Sequence, residues 1–169
     1  RTHPMFKTTI QIFNLTARIE FTIKDNGGAG DCLFLSLREI LSRANPAVIR
    51  TKTPYDIRIE IVDFVMDNLD EVHNQITGQT FIDLLQNGVR INTGSMLNIS
   101  NYERVMKTPG TYGTEIEISA ASLLYGINIY VVNINGISFD QFYRGNHSDL
   151  PTFENTWYIF NYNNAHYTS

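Results

Sequence analysis

The sequence has one cysteine among its 169 residues, and this scarcity excludes an internal disulfide scaffold and a multi-cysteine zinc site. It lacks an apolar run long enough for a membrane span, and no signal-peptide pattern opens it. Its 13 basic residues are fewer than its 17 acidic residues and form no cluster, which argues against a nucleic-acid-binding module. No histidine pair has the H-x-x-x-H or H-E-x-x-H spacing of a metal site. The sequence therefore predicts no metal, no cofactor, and no nucleic-acid or membrane partner.

Apolar residues, in contrast, are plentiful. They make up 43% of the chain, with 10 Phe and 9 Tyr, which excludes a wholly disordered protein. The length suits one domain with a sizeable core, so we expect a single domain over residues 1–169. Because the chain begins with Arg1 rather than methionine, we expect it to be a piece of a longer polypeptide. We expect the excised domain to be a monomer.

The spacing of apolar residues predicts the α+β class. A period of two at residues 5–24, with Ile19, Phe21 and Ile23 on one side, predicts a β-hairpin. Spacings of three and four predict helices at residues 32–43, behind Thr53-Pro54 as far as Leu69, and at 80–86 and 114–125. One helical turn is expected at 102–106, within a polar stretch. Apolar runs at 127–134 and 156–161 predict strands, and Asn135-Gly136 predicts a tight turn. We expect helices packed around a small central sheet.

Cys32 follows a glycine-rich segment and opens the first predicted helix, with Asp31 as the expected N-cap. A lone cysteine is most often a small buried apolar residue. At a helix N-terminus, however, backbone N–H groups and the helix dipole favour the thiolate, which is the form that attacks carbonyl carbons. The same N–H groups can hold the oxyanion of a tetrahedral intermediate. Cys32 is therefore a candidate nucleophile.

The glycine-rich segment also permits a phosphate-binding interpretation. Gly27-Gly28-Ala29-Gly30 lies between a predicted strand and a predicted helix, as a phosphate loop does. No Lys-Ser/Thr pair follows it, and the G-x-G-x-x-G spacing is not met. This interpretation is therefore strongly disfavoured.

A cysteine nucleophile needs a base, and the sequence offers four histidines. His3 lies in a terminus that we expect to fray, and we expect His73 and His147 to be exposed to solvent. His166 follows a predicted strand in a polar turn, where a strand end can hold its ring. Sequence separation is no objection, since catalytic Cys and His residues commonly meet only in the fold. The hypothesis is a Cys32–His166 dyad.

Three blocks occur in order along the chain: Gly30-Asp31-Cys32-Leu33-Phe34-Leu35-Ser36, Tyr112-Gly113-Thr114-Glu115-Ile116-Glu117-Ile118-Ser119-Ala120-Ala121, and Asn164-Ala165-His166-Tyr167. They resemble, in the same order, the motifs D-G-[DN]-C-L-F-x-[SA], W-G-x-x-x-E-L-x-A-L and N-x-H-Y of the ovarian tumour (OTU) superfamily of cysteine deubiquitinases. The resemblance covers roughly residues 28 to 169. It implies an N-terminal β extension at 1–25 ahead of a catalytic core at 26–169.

The resemblance implies a thiol isopeptidase that cleaves after the C-terminal glycine of ubiquitin or a ubiquitin-like protein. Cys32 would be the nucleophile and His166 the general base and later acid. Backbone N–H groups of Ala29, Gly30, Asp31 and Cys32 would form the oxyanion hole. The expected partners are ubiquitin and related modifiers, and no cofactor is implied. A working thiolate needs a reducing compartment, so we expect the cytoplasm, of a host cell if the protein is viral.

Two positions depart from the family pattern. The family usually has Asp three residues before the cysteine, and here Ala29 stands there, so side-chain bracing of the loop is lost. The third catalytic residue is usually Asp or Asn two positions after the histidine, and here that position is Thr168. Thr can accept a hydrogen bond but brings no charge, so it stabilises an imidazolium less. Asn164, or a residue elsewhere in the fold, is the alternative that orients the ring.

Alternatives to a deubiquitinase stay open. One is a protease that processes its own polyprotein, and the other is an inactive module that only binds ubiquitin. The hairpin at residues 5–24 resembles an added element of viral family members, where it enlarges the ubiquitin-contacting surface. An ordinary hairpin that covers the core is an equally good interpretation.

Overall fold

The computed structural model describes residues 5–12, 14–22, 28–74, 78–91, 94–134, 139–145, 149–162 and 166–168, without the side chains of residues 48, 72–74 and 166. Asn164, the predicted turn at Asn135-Gly136, and Ile23, His3 and His147 lie outside the described residues. Of the predicted dyad, Cys32 is described with its side chain and His166 by its backbone alone.

Helices and strands follow one another along the described chain. The helices are α1 (Cys32–Ala44), α2 (Pro46–Ile49), α3 (Pro54–Asp67), α4 (Phe81–Asn87), α5 (Tyr102–Lys107) and α6 (Glu115–Tyr125). The strands are β1 (Met5–Ile12), β2 (Leu15–Thr22), β3 (Val72–Asn74), β4 (Gln79–Thr80), β5 (Val89–Arg90), β6 (Met96–Leu97), β7 (Asn128–Ile134), β8 (Gln141–Tyr143), β9 (Thr156–Tyr162) and β10 (His166–Thr168).

A four-stranded mixed sheet lies at the centre of the fold, in the order β10-β9-β7-β8. β7 and β9 run parallel, whereas β8 and β10 pair antiparallel with their neighbours at the two edges. β7 is buried almost throughout, as its continuous apolar run predicts. Together with the helices, this sheet confirms the predicted α+β class.

The helices pack on the sheet face that carries Ile129, Val131 and Ile159. α3 begins with the predicted cap, since the Thr53 side chain accepts a hydrogen bond from the Asp56 N–H and the Asp56 carboxylate accepts one from the Thr53 N–H. α6 ends, as predicted, at a glycine in the left-handed conformation. The local start and stop signals of these helices are confirmed.

The predicted N-terminal hairpin is confirmed as β1 and β2, and it covers the opposite face of the sheet. Ile10 and Ile12 are fully buried there beside Val132. The Phe21 ring stacks on the Phe160 ring of β9 with 4.1 Å between centroids. The hairpin therefore forms a second small core with the sheet, as the core-covering interpretation expects.

Two elements differ from the sequence predictions. α3 ends at Asp67, because the Asn68 side chain donates to the Phe64 carbonyl, so Leu69 packs on the core from the loop. His166 begins β10, where the sequence predicted a polar turn. This three-residue strand is held by its pairing with β9, which local sequence patterns do not encode.

Candidate active site

Cys32 is the first residue of α1 and lies against β10. Its side chain is 1% exposed, and its Sγ accepts a hydrogen bond from the Tyr167 N–H at an N···S distance of 3.3 Å. Tyr167 directly follows His166 in β10. The fold therefore brings the backbone at His166 next to the sulfur, although the two residues lie near opposite ends of the sequence.

Burial raises the pKa of the Cys32 thiol above its ordinary value of 9.0. The N–H groups of Tyr167, Leu33 and Cys32 itself lower this pKa, but by less than burial raises it, and the charge of Asp31 adds to the increase. The N–H groups of the helix N-terminus thus favour the thiolate, as expected, but the net pKa of the thiol is raised in the described surroundings of the sulfur. Desolvation penalises the charged form by more than the N–H groups stabilise it.

This pKa shift predicts the titration of Cys32 in a His166→Ala variant. Without a neighbouring imidazole, the thiol should stay neutral up to a pH above 9.0, because its burial disfavours the thiolate. The ultraviolet absorbance of the thiolate measures this titration, and Cys32 is the only cysteine in the chain. Subtracting the titration of a His166→Ala, Cys32→Ser double variant removes the tyrosine signal. A midpoint below 9.0 would show that the N–H groups outweigh burial.

The four residues predicted to form an oxyanion hole lie in one turn that leads into α1. The Cys32 N–H donates to the Ala29 carbonyl at 3.2 Å, and the Asp31 carbonyl accepts the first hydrogen bond of the helix. Gly30 is buried, and its backbone passes so close to the Gly110 carbonyl that a Cβ would lie 1.6 Å from that oxygen. Only glycine fits this approach, so the turn is fixed in position by its neighbour.

Asp31 occupies the predicted N-cap position, but its side chain makes no capping hydrogen bond. Its Oδ1 instead accepts hydrogen bonds from Arg58 Nη2 at 2.6 Å and from the Gly110 N–H at 2.8 Å. Burial raises the pKa of this carboxyl, but the two hydrogen bonds and the charge of Arg58 outweigh it and hold the pKa below its ordinary value. Asp31 therefore links the turn to other segments rather than capping its own helix.

Arg58 is a residue of this site that the sequence analysis missed. It lies in α3 and is 1% exposed. A signal was present, since its spacing of four and seven residues from Val62 and Val65 places it on a face that is buried. Charged side chains are seldom fully buried unless they are paired, so an arginine on the buried face of a helix indicates a buried partner.

The second sequence block packs directly against the first. The Gly113 Cα approaches Leu33 so closely that a Cβ would lie 2.3 Å from the Leu33 Cδ2. At the start of α6, the fully buried Glu117 carboxylate accepts hydrogen bonds from the Thr114 N–H at 2.6 Å, the Thr114 hydroxyl at 2.8 Å and the Tyr102 hydroxyl at 2.7 Å. This block therefore supports the nucleophile helix through packing and a buried polar network.

Thr168, the expected third residue, lies in β10 two positions after His166 and is 1% exposed. It stands opposite Phe160 of β9 in the register of the two strands. This place in the same strand is compatible with orienting His166. The role of Thr168 stays a prediction, as does that of Asn164.

A small pocket of about 90 Å³ with polar and apolar walls opens beside Tyr167, between the start of α6 and the sheet. Glu115, Asn133 and Asn161 line it, and the Oδ1 atoms of both asparagines are buried without a hydrogen-bond partner among the described residues. Burial raises the pKa of Glu115, and a hydrogen bond with Gln141 opposes that rise. The pocket is rich in acceptors, and the sequence analysis missed it because its walls come from separate strands and a helix.

Metal binding and membrane insertion have no structural counterpart in the described ranges. Within them, no three His, Cys, Asp or Glu side chains come together in a way that could hold a metal ion. None of the helices described above combines the length and the apolar character that spanning a bilayer requires.

Solved structures share this fold. An OTU deubiquitinase from Wolbachia pipientis wMel, bound to ubiquitin, matches with a TM-score of 0.55 and 15% identity over 86% of this chain and 91% of that one. Viral OTU domain proteases match with similar scores. The one from Qalyub virus has a TM-score of 0.51 and 12% identity over 98% and 87% of the two chains. The one from Dera Ghazi Khan virus has a TM-score of 0.50 and 13% identity over 97% and 83%.

Sequence comparison assigns the family. No curated protein matches the sequence. The family model for OTU-like cysteine proteases, however, matches residues 27–167, a range that includes Cys32, His166 and the α6 block between them. The chain therefore belongs to the OTU-like cysteine protease family.

Proposed function

We propose that this protein is a deubiquitinase that hydrolyses isopeptide or peptide bonds after the C-terminal glycine of ubiquitin or a ubiquitin-like protein. The observation that carries the proposal is the 3.3 Å hydrogen bond from the Tyr167 N–H to Cys32 Sγ, which sets the His166 strand against a cysteine that opens a helix. Membership in a cysteine protease family supports the same chemistry. So does the fold shared with an OTU deubiquitinase that is bound to ubiquitin.

In the proposed reaction, Cys32 Sγ attacks the carbonyl carbon of the terminal glycine while His166 takes the thiol proton. Backbone N–H groups of the turn at residues 29–32 hold the oxyanion. The C–N bond then breaks, His166 gives its proton to the leaving amine, and a thioester remains. Water, deprotonated by His166, hydrolyses the thioester and regenerates the thiol. Thr168 or Asn164 would orient the His166 ring.

The raised pKa of the Cys32 thiol makes a base essential to this proposal. A neutral thiol is a poor nucleophile, so its proton must be removed as the sulfur attacks. The Cys32 N–H already donates to the Ala29 carbonyl, so it must exchange that partner to hold an oxyanion.

The acceptor-rich pocket beside Tyr167 supports recognition of a basic tail such as the C-terminal tail of ubiquitin. A guanidinium or ammonium group carries donors only. Glu115 offers its carboxylate oxygens to such a group, and Asn133 and Asn161 line the same pocket. The outer face of the hairpin is a proposed second contact with ubiquitin.

A ubiquitin probe with a C-terminal electrophile tests the proposal. We expect the parent chain to form a covalent adduct of one probe per chain, visible by mass spectrometry, because the only sulfhydryl is Cys32. A Cys32→Ser variant should form none. If only a probe made from a ubiquitin-like protein forms an adduct, that protein rather than ubiquitin is the substrate. Binding without an adduct would indicate an inactive module, and neither binding nor an adduct would contradict the proposal.

A further inference from the structure

The guanidinium of Arg58 connects the residues just before Cys32 to α5 and to α1. Its Nη2 donates to Asp31 Oδ1 at 2.6 Å and to the Gly30 carbonyl at 3.3 Å. Its Nη1 donates to the Met106 carbonyl of α5 at 3.0 Å, and its Cζ lies 4.1 Å from the centroid of the Phe34 ring. The group is thus hydrogen-bonded in two directions and stacked on α1.

Asp31 extends this connection beyond α3. The same Oδ1 that accepts from Arg58 also accepts from the Gly110 N–H at 2.8 Å. The backbone of Gly30 lies directly against the Gly110 carbonyl. The peptide groups before Cys32 are therefore held between the α3 side chain and the segment that follows α5.

Stability alone does not explain a buried arginine at this place. Moving a guanidinium out of water costs several kcal/mol, and an apolar residue of similar size often serves stability as well or better. What the ion pair adds is direction, since a planar guanidinium fixes the orientation of the groups that it binds. Here those groups belong to the turn that leads into the nucleophile. Ala29 has no polar side chain that could brace this turn, and the Asp31–Arg58 pair supplies a brace two residues further on.

We propose that Arg58, acting through Asp31, is a positioning residue that holds the turn at residues 29–32 in the place from which its backbone N–H groups reach the oxyanion, once the Cys32 N–H has left the Ala29 carbonyl. The inference rests on the proposed cysteine acyl-transfer function. The contacts described for Arg58 are with Gly30, Asp31, Phe34 and Met106. Its effect is therefore on the transition state of acyl transfer, and reactions of Cys32 that form no oxyanion are not affected.

The test compares two reactions of the same sulfur. Acetylation by p-nitrophenyl acetate passes through a tetrahedral oxyanion as the thioester forms and nitrophenolate leaves. Alkylation by iodoacetamide displaces iodide and forms no oxyanion. Arg58→Lys keeps the charge but loses the two-directional hydrogen bonding, and Asp31→Asn keeps the shape of the carboxylate without its charge. Arg38→Lys is the matched control, because Arg38 Nε also donates to a backbone carbonyl, that of Lys52, but away from the turn.

We expect Arg58→Lys and Asp31→Asn to lower the acetylation rate by about 10- to 100-fold, somewhat less than loss of a whole oxyanion donor. Alkylation of Arg58→Lys should stay within about twofold of the parent. Alkylation of Asp31→Asn should be no slower than that of the parent, because loss of the Asp31 charge lowers the pKa of the Cys32 thiol. Arg38→Lys should change neither rate. If both rates fall together, the residues act on stability or access only, and if neither falls in a folded variant, the inference is wrong. Circular dichroism checks folding, and Asp31→Asn remains informative if Arg58→Lys does not fold. Failure of the parent on a ubiquitin substrate would contradict the deubiquitinase proposal but would leave this comparison intact.

Discussion

Replacing Cys32 with alanine is expected to lower kcat/KM for a fluorogenic ubiquitin C-terminal amide by about 10³-fold or more, because no other sulfhydryl can take over the attack. His166→Ala should cost a similar factor, since the buried thiol depends on a base to lose its proton. Loss of either member of a working pair removes the function of both, so the double variant should be little worse than each single one. Initial rates at saturating and limiting substrate measure these effects.

The matched control for His166 is His73→Ala. His73 lies in β3, which pairs with β4 in a separate two-stranded sheet rather than with β10. This variant should keep the parent rate. Full activity of His166→Ala would exclude His166 as the base, and full activity of Cys32→Ala would exclude the cysteine mechanism altogether.

Replacing Glu117 with alanine is expected to lower the free energy of unfolding by about 2–4 kcal/mol, because hydrogen bonds to a buried carboxylate are lost and a buried hydroxyl is left unpaired. Glu117 accepts from the Thr114 N–H and hydroxyl through Oε1, and from the Tyr102 hydroxyl through Oε2. These bonds join the start of α6 to α5. Urea unfolding followed by circular dichroism measures the loss.

Glu117→Gln separates hydrogen bonding from charge in the same network. The glutamine oxygen can still accept from Thr114, and its amide can donate to the Tyr102 oxygen. Burial raises the pKa of Glu117, so loss of the charge should cost less than loss of the hydrogen bonds. We expect less than half of the alanine effect. Equal losses in the two variants would show that the charge, rather than hydrogen bonding, stabilises this end of α6.

Features set by neighbouring residues could be predicted from the sequence. The start of α1 at Cys32, the cap at Thr53 and the end of α6 at Gly126 each depend on contacts within a few residues. The alternation in the hairpin likewise predicts which face of β1 and β2 is buried. The order of the three motif blocks then pointed to the family.

Features that depend on contacts between distant residues could not be predicted from the sequence. The ion pair of Asp31 with Arg58 joins positions 27 residues apart, and its geometry depends on how α3 packs beside α1. The side chain of Asp31 consequently leaves the cap that local sequence predicts. The raised thiol pKa of Cys32 has the same origin, since a helix terminus is visible in sequence but the degree of burial is not. β10 is paired with β9, which is distant from the local signals that its three residues carry.

The contact of the N-terminal hairpin with the sheet bears on the solubility of the protein. The family match begins at residue 27, after the hairpin. A fragment cut at that point would uncover Tyr130, Val132, Ile134 and Phe160, which now lie buried beneath β1 and β2. A contiguous apolar patch of this kind promotes association between copies. A fragment that begins at residue 27 is therefore expected to aggregate more readily than the chain with its hairpin.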